Sequence, residues 1–172
     1  MFWSLEQRLD KHFAIAPIFE LVLQDELQRP NGWHVGDFAG VVEVIRVCRN
    51  EVEVEKLWVL GWSFGTDLAL KYARDPRIQG LILLSPPLRT SEPSDLEFWA
   101  ADGRQIIAMI PEFDDYLQPE AAAKAFKVIS QIKLINVDEA KHLWVGEPAV
   151  YRVLSEITRA ISPEKLPLPI EI

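Results

Sequence analysis

The sequence predicts an α/β fold, a mostly parallel sheet with helices on both faces. Three observations predict it. From Asp37 onward, helical and strand-like patterns alternate along the chain. Two of the strand-like runs, Gln79–Leu84 (QGLILL) and Gln105–Ile110 (QIIAMI), are apolar at successive positions, as in strands covered on both faces. The length, 172 residues with 49% apolar, suits one domain with a substantial core. We therefore expect a single domain over residues 1–172.

The elements follow in order. Ser4–Lys11 has a helical pattern and Phe13–Phe19 a strand-like one, while residues 20–35 carry no clear period. Asp37–Arg49 places Phe38, Val41, Val42, Ile45 and Cys48 at helical spacing, although its β-branched residues weaken that preference. Lys56–Leu60 is a short apolar run, and Thr66–Arg74 has a helical pattern. The strand Gln79–Leu84 ends at Pro86-Pro87. A helix over Ser94–Ala101 opens with the pattern Ser94-x-x-Glu97, a capping box. After the strand Gln105–Ile110 comes a helix over Pro119–Ile129, with proline in its first turn. Ile132–Val137 is the next strand. In Pro148–Ile161, Val150, Val153, Leu154, Ile157 and Ile161 form one apolar stripe. Prolines 163, 167 and 169 predict an irregular tail.

Composition narrows the function classes. The net charge of −8, without blocks of like charge, argues against nucleic acid and anionic membrane partners. The single cysteine, Cys48, rules out an internal disulfide and fits a reducing compartment. No apolar run has the ~18 residues a bilayer span needs, and the start MFWSLEQRLDK lacks the form of a secretory signal. We expect a cytoplasmic protein. The scattered histidines suggest no metal site, and nucleotide-binding glycine motifs are missing, so no cofactor is expected.

One junction carries chemistry. In LWVLGWSFGTDLALKYA, Leu57–Ala73, Ser63 lies between Gly61 and Gly65 where a strand meets a helix. A G-x-S-x-G turn of this kind is tight enough to strain the serine backbone and leave its hydroxyl exposed above the sheet. The N–H of Phe64 and the positive end of the helix dipole face the same space. The plainer alternative is a structural turn, with Ser63 capping the helix. A nucleophilic serine needs a base, and the base needs a carboxylate. Of His12, His34 and His142, only His142 follows a buried strand, which puts it on the same rim as Ser63. Asp114 and Asp115 follow the strand Gln105–Ile110. Adjacent residues point apart, so one of them meets the imidazole while the other faces solvent or caps a helix. The alternative is that both are solvated loop residues.

These residues resemble the α/β-hydrolase superfamily, through Gly61-Trp62-Ser63-Phe64-Gly65, Asp115 and His142, over roughly residues 37–161. GWSFGTDLALKYA, LLSPPL, EFDDYL and AKHLWVGEP are also similar to a group of small bacterial, chiefly actinobacterial, α/β hydrolases without known substrates. The resemblance implies Ser63 as nucleophile, His142 as base and then acid, Phe64 as oxyanion donor, and an aspartate for which Asp115 is chosen because Pro119 follows four residues later. Asp114 is the alternative acid. The implied function is hydrolysis of small carboxylic esters or thioesters, with a non-catalytic binding protein as the alternative.

The family's usual His-Gly loop, which supplies a second oxyanion N–H, has no counterpart here: His12 precedes Phe13 and His34 precedes Val35. The N-terminal strands therefore look shortened, residues 1–36 read as atypical, and an uncovered sheet edge would favour a homodimer. Residues 86–103 read as a lid or crossover. Its Leu88, Leu96, Phe98 and Trp99, together with Trp62, Phe64 and Trp144, either line an apolar substrate pocket or simply pack the crossover.

Overall fold

A computed structural model describes residues 57–168, and Lys56–Leu168 forms one compact unit. The expectations for Ser4–Lys11, Phe13–Phe19, Asp37–Arg49, His12, His34 and Cys48 fall outside the described residues. So does part of the single-domain expectation.

Among the described residues, four strands form the sheet in the order β1-β2-β3-β4: β1 Leu57–Trp62, β2 Ile78–Leu84, β3 Gln105–Phe113 and β4 Ile132–Lys141. All three pairings are parallel. Between the strands lie α1 (Phe64–Tyr72), α2 (Pro93–Asp102), and α3 (Pro119–Ala125) with a 3₁₀ turn at Phe126–Val128. Helix α4, Glu147–Ile161, follows β4, and a further 3₁₀ turn spans Pro163–Lys165.

Register shows that the sheet is covered on both sides. Gly61 pairs with Leu83, while Leu60 pairs with Ile82, which pairs with Ile107, which pairs with Lys133. Partners across a parallel ladder point to the same face, and neighbours along a strand point to opposite faces. A Cβ on Gly61 would lie 2.5 Å from the carbonyl oxygen of Gly65, so α1 covers the Gly61 face. Lys133 pairs with Glu156 of α4 at 3.3 Å, so α4 lies over the other. Burial agrees: in β2 every residue except Gln79 is buried, and in β3 Ile106–Pro111 are buried. Gly80 has a specific reason to lack a side chain, since a Cβ there would collide with the Trp58 indole and the Gln105 carbonyl.

The helices start and stop slightly differently from the sequence patterns. Helix α2 begins at Pro93, and its capping box is Glu92 with Asp95 rather than Ser94 with Glu97. The cause is tertiary. The buried Asp95 carboxylate accepts the Glu92 N–H at 2.7 Å and also binds Arg74, just past the end of α1, at 2.6 Å, with Lys71 of α1 at 3.2 Å. Gly103, at φ 80°, ends α2 in the left-handed conformation that glycine adopts without strain. The helix expected over Pro119–Ile129 tightens to 3₁₀ at Phe126. In α4 the predicted stripe faces inward: Val153, Leu154 and Ile157 are buried, and Val150 and Ile161 are half-buried.

Residues 86–103 are a crossover over most of their length. The indole N–H of Trp99 donates to the Leu70 carbonyl at 2.8 Å, and the ring is fully buried. Phe98 meets Trp99 edge-on and carries the Arg74 guanidinium on its face. Leu70 lies in the far half of α1, about two turns from Ser63, and Arg74 lies just beyond the end of that helix. The structure therefore places Phe98 and Trp99 in the α1–α2 packing and not beside the serine.

Candidate active site

The strands deliver their last residues to one rim. The Ser63 N–H donates to the Leu84 carbonyl at 2.9 Å, and the Ser85 N–H to the Met109 carbonyl at 3.0 Å, so the ladder continues past the ends of β1 and β2. Several non-glycine residues beyond strand ends on this rim have positive φ: Ser63 at 51°, Ser85 and Leu88 at 49°, and Trp144 at 53°. Such conformations cost about 1–3 kcal/mol each and persist only where the surroundings impose them. At Ser63 the cause is visible. Helix α1 starts at the next residue, and the Ser63 carbonyl accepts both the Thr66 N–H (2.9 Å) and the Thr66 hydroxyl (2.7 Å). Ser63 makes no side-chain cap bond to the helix. The reading of the serine as a helix cap is thereby removed. Gly61 is needed because the turn brings Gly65 and Thr66 onto it. A Cβ at Gly65 meets nothing within 4 Å among the described residues, so only the first glycine of the motif answers to this crowding.

Ser63 Oγ lies 2.8 Å from Nε2 of His142, and Nδ1 of His142 lies 2.9 Å from Oδ2 of Asp114. A carboxylate only accepts, so the imidazole donates through Nδ1 to Asp114 and leaves Nε2 to accept the Ser63 O–H. His142 and Asp114 are both buried, while Ser63 is half-buried. The carboxylate on the imidazole is Asp114, and the expected Asp115 is exposed to solvent. The reason lies in the strand pairing. Pairing between β3 and β4 slips between Pro111 and Phe113, and the Asp114 N–H returns to the Pro111 carbonyl. That turn aims Asp114 inward, where Oδ1 also accepts the N–H groups of Tyr116 (2.8 Å) and Leu117 (3.1 Å).

Sequence reasoning missed the fastening of this array. The His142 carbonyl accepts the Trp62 indole N–H at 3.2 Å and the Ser85 hydroxyl at 3.1 Å, which ties the loop after β4 to the ends of β1 and β2. Trp62 therefore has a positioning bond. Trp144 is buried, and its indole N–H has no hydrogen-bond partner among the described residues. Tyr116 packs edge-on against the imidazole at 4.7 Å between centroids. Asp67, fully buried in α1, accepts the N–H groups of Arg89 (3.1 Å) and Thr90 (3.2 Å) and the Ser91 hydroxyl (2.5 Å), and so fixes the loop after β2. The signal available in the sequence was an acidic residue on the apolar side of a helix, beside Leu70 and Ala69. Leu88 lies in this fastened loop, half-buried. Among the described residues, no group of histidine, cysteine and carboxylate side chains is placed to hold a metal ion, and no helix is long and apolar enough to cross a membrane.

A family model described as the alpha/beta hydrolase fold matches residues 15–127, which include Ser63 and Asp114. The chain belongs to the α/β-hydrolase fold family. Among solved structures, this α/β-hydrolase chain is similar to an alpha-beta serine hydrolase homologue from Coxiella burnetii, with 18% identity and a TM-score of 0.62, covering 78% of this chain and 66% of that one. It is similar to a protein of unknown function from Agrobacterium tumefaciens, with 17% identity and a TM-score of 0.62, covering 82% of this chain and 70% of that one. It is also similar to an esterase from Pyrococcus furiosus, with 13% identity and a TM-score of 0.56, covering 77% and 61%. The matches thus span about two thirds of the length of these α/β-hydrolase structures. No curated protein matches the chain.

Proposed function

We propose that the protein is a serine hydrolase of small carboxylic esters or thioesters. The observation that carries the reading is the continuous hydrogen-bonded chain from Ser63 Oγ through His142 to Asp114, at 2.8 and 2.9 Å. Ser63 attacks the substrate carbonyl while Nε2 of His142 takes its proton, and the Asp114 carboxylate stabilises the imidazolium formed. Phe64 follows the serine directly and opens α1, and we assign its N–H as the donor to the developing oxyanion. The imidazolium then protonates the leaving alkoxide or thiolate. Water, deprotonated by the same nitrogen, releases the acid from the acyl-serine.

The segment that in the family supplies a second oxyanion N–H corresponds to residues outside the described ones, and its His-Gly pattern has no counterpart in the sequence. Loss of one such donor costs roughly 10²–10³ in rate, so activated esters are favoured over amides. Exposed apolar side chains adjoin the site residues in sequence: Phe113 and Tyr116 around Asp114, and Leu143 and Val145 after His142. They suit a substrate with an apolar portion. The fold-level likeness to an esterase is consistent with this chemistry without fixing it.

A fluorophosphonate probe tests the proposal. We expect covalent labelling of the wild type that disappears in Ser63→Ala, together with Ser63-dependent turnover of p-nitrophenyl acetate. Folded protein that neither labels nor turns over the ester would instead indicate the non-catalytic binding role.

A further inference from the structure

Six arginines lie among the described residues, and five of them have a carboxylate partner. Arg74 binds Asp95, Arg77 binds Asp75, Arg104 binds Asp102, and Arg152 and Arg159 share Glu156. Arg89 has no ion pair among the described residues, although the chain carries a net charge of −8. Its guanidinium lies over the Tyr116 ring, 5.6 Å from the centroid, and Tyr116 is the residue packed edge-on against the His142 imidazole. The Arg89 guanidinium is thus separated from the His142 imidazole by one aromatic ring. Asp115, next to Tyr116 in the chain, is exposed and forms no ion pair with it.

The placement is built into the backbone. The buried Asp67 carboxylate holds three consecutive residues, Arg89, Thr90 and Ser91. Leu88, immediately before them, adopts a strained φ of 49°. Holding a loop this firmly keeps a long side chain from having to order its own backbone when a ligand binds. A guanidinium resting on a ring face keeps its N–H edges available for a planar oxyanion, which it can bind through two parallel hydrogen bonds.

We propose that Arg89 is a specificity residue that binds a carboxylate carried by the substrate. This rests on the serine-hydrolase reading of the site. The substrate class is then an ester or thioester with a free carboxylate, either on the acyl chain or on the leaving group.

Paired substrates distinguish the two positions. On the acyl side, mono-p-nitrophenyl glutarate is compared with p-nitrophenyl valerate. On the leaving-group side, 3-acetoxybenzoate is compared with 3-acetoxybenzamide. In Arg89→Gln, the anionic-to-neutral ratio of kcat/KM falls at least fivefold in one of the two arms, and that arm locates the carboxylate. Arg89→Lys, which keeps the charge but not the fork, gives an intermediate ratio. A ratio that changes less than fivefold in both arms overturns the proposal, since a guanidinium that merely supports Tyr116 would affect both members of a pair alike. If the wild type hydrolyses none of these esters and Ser63 is not labelled, the hydrolase reading fails separately. Binding of monomethyl glutarate to the folded protein, followed by calorimetry, then decides. A tenfold weakening in Arg89→Gln supports the anion site, and no binding or equal binding overturns it.

Discussion

The Asp114 carboxylate stands 2.9 Å from Nδ1 of His142, and its other oxygen is held by two backbone N–H groups, those of Tyr116 and Leu117. Both oxygens are therefore committed, and the imidazole is fixed in the tautomer that can accept the Ser63 proton. Asp114→Asn can present an amide N–H to Nδ1 and reverse that tautomer. We expect kcat for p-nitrophenyl acetate to fall by about 10²–10⁴. Asp115→Asn, which alters only an exposed side chain, should stay within about twofold. Equal losses in the two variants would overturn the assignment of the carboxylate.

The glycines of the G-x-S-x-G turn should separate in a stability measurement. At Gly61 a methyl group would sit 2.5 Å from the Gly65 carbonyl oxygen and 2.8 Å from the Thr66 Cα, both backbone atoms that cannot swing aside. Gly61→Ala should therefore lose about 1–3 kcal/mol in urea unfolding, as overpacking does, along with most of the activity. At Gly65 the added methyl finds space among the described residues, so Gly65→Ala should unfold close to the wild type.

Removing the loop fastener should show in stability as well. Asp67→Ala leaves the Arg89 and Thr90 N–H groups and the Ser91 hydroxyl without their acceptor. The expected loss is about 1–3 kcal/mol, the usual cost of abandoning part-buried polar groups. A urea midpoint equal to that of the wild type would show that water replaces the carboxylate without loss.

Acid sensitivity should trace in part to Glu156. Burial by itself raises its pKa, but the hydrogen bond from Arg159 and the charges of Lys133 and Arg159 outweigh that and hold it below the ordinary 4.5. A carboxylate depressed on folding contributes its full stabilisation above the unfolded value and loses it as pH falls through the lower folded value. Between pH 6 and pH 3 the unfolding free energy should therefore fall less steeply in Glu156→Gln than in the wild type. Parallel pH profiles would contradict this.

The strands and helices of residues 57–161 were legible because their signals are local. Gln79–Leu84 and Gln105–Ile110 are apolar on both faces, and the Val153–Ile157 stripe repeats with the helical period. The strained serine was legible for a similar reason, since a strand, a small-residue turn and a helix in succession leave the chain few conformations. The aspartate was not. Two adjacent identical side chains carry no sequence information about which one points inward, and a register slip between β3 and β4 made that choice. The crossover aromatics failed in another way: Phe98 and Trp99 show that they are apolar, but not which end of α1 they will meet.

The sequence by itself determined the alternation of strands and helices, the conformation of the Ser63 turn, and the rim on which His142 must lie, because each follows from steric and burial preferences within a dozen residues. Tertiary structure alone selected Asp114, anchored the His142 carbonyl through Trp62 and Ser85, and fixed the Arg89 backbone through Asp67. Those bonds join residues 22 to 80 positions apart. Such a bond exists only once packing has brought its partners within about 3 Å, a condition no local pattern encodes.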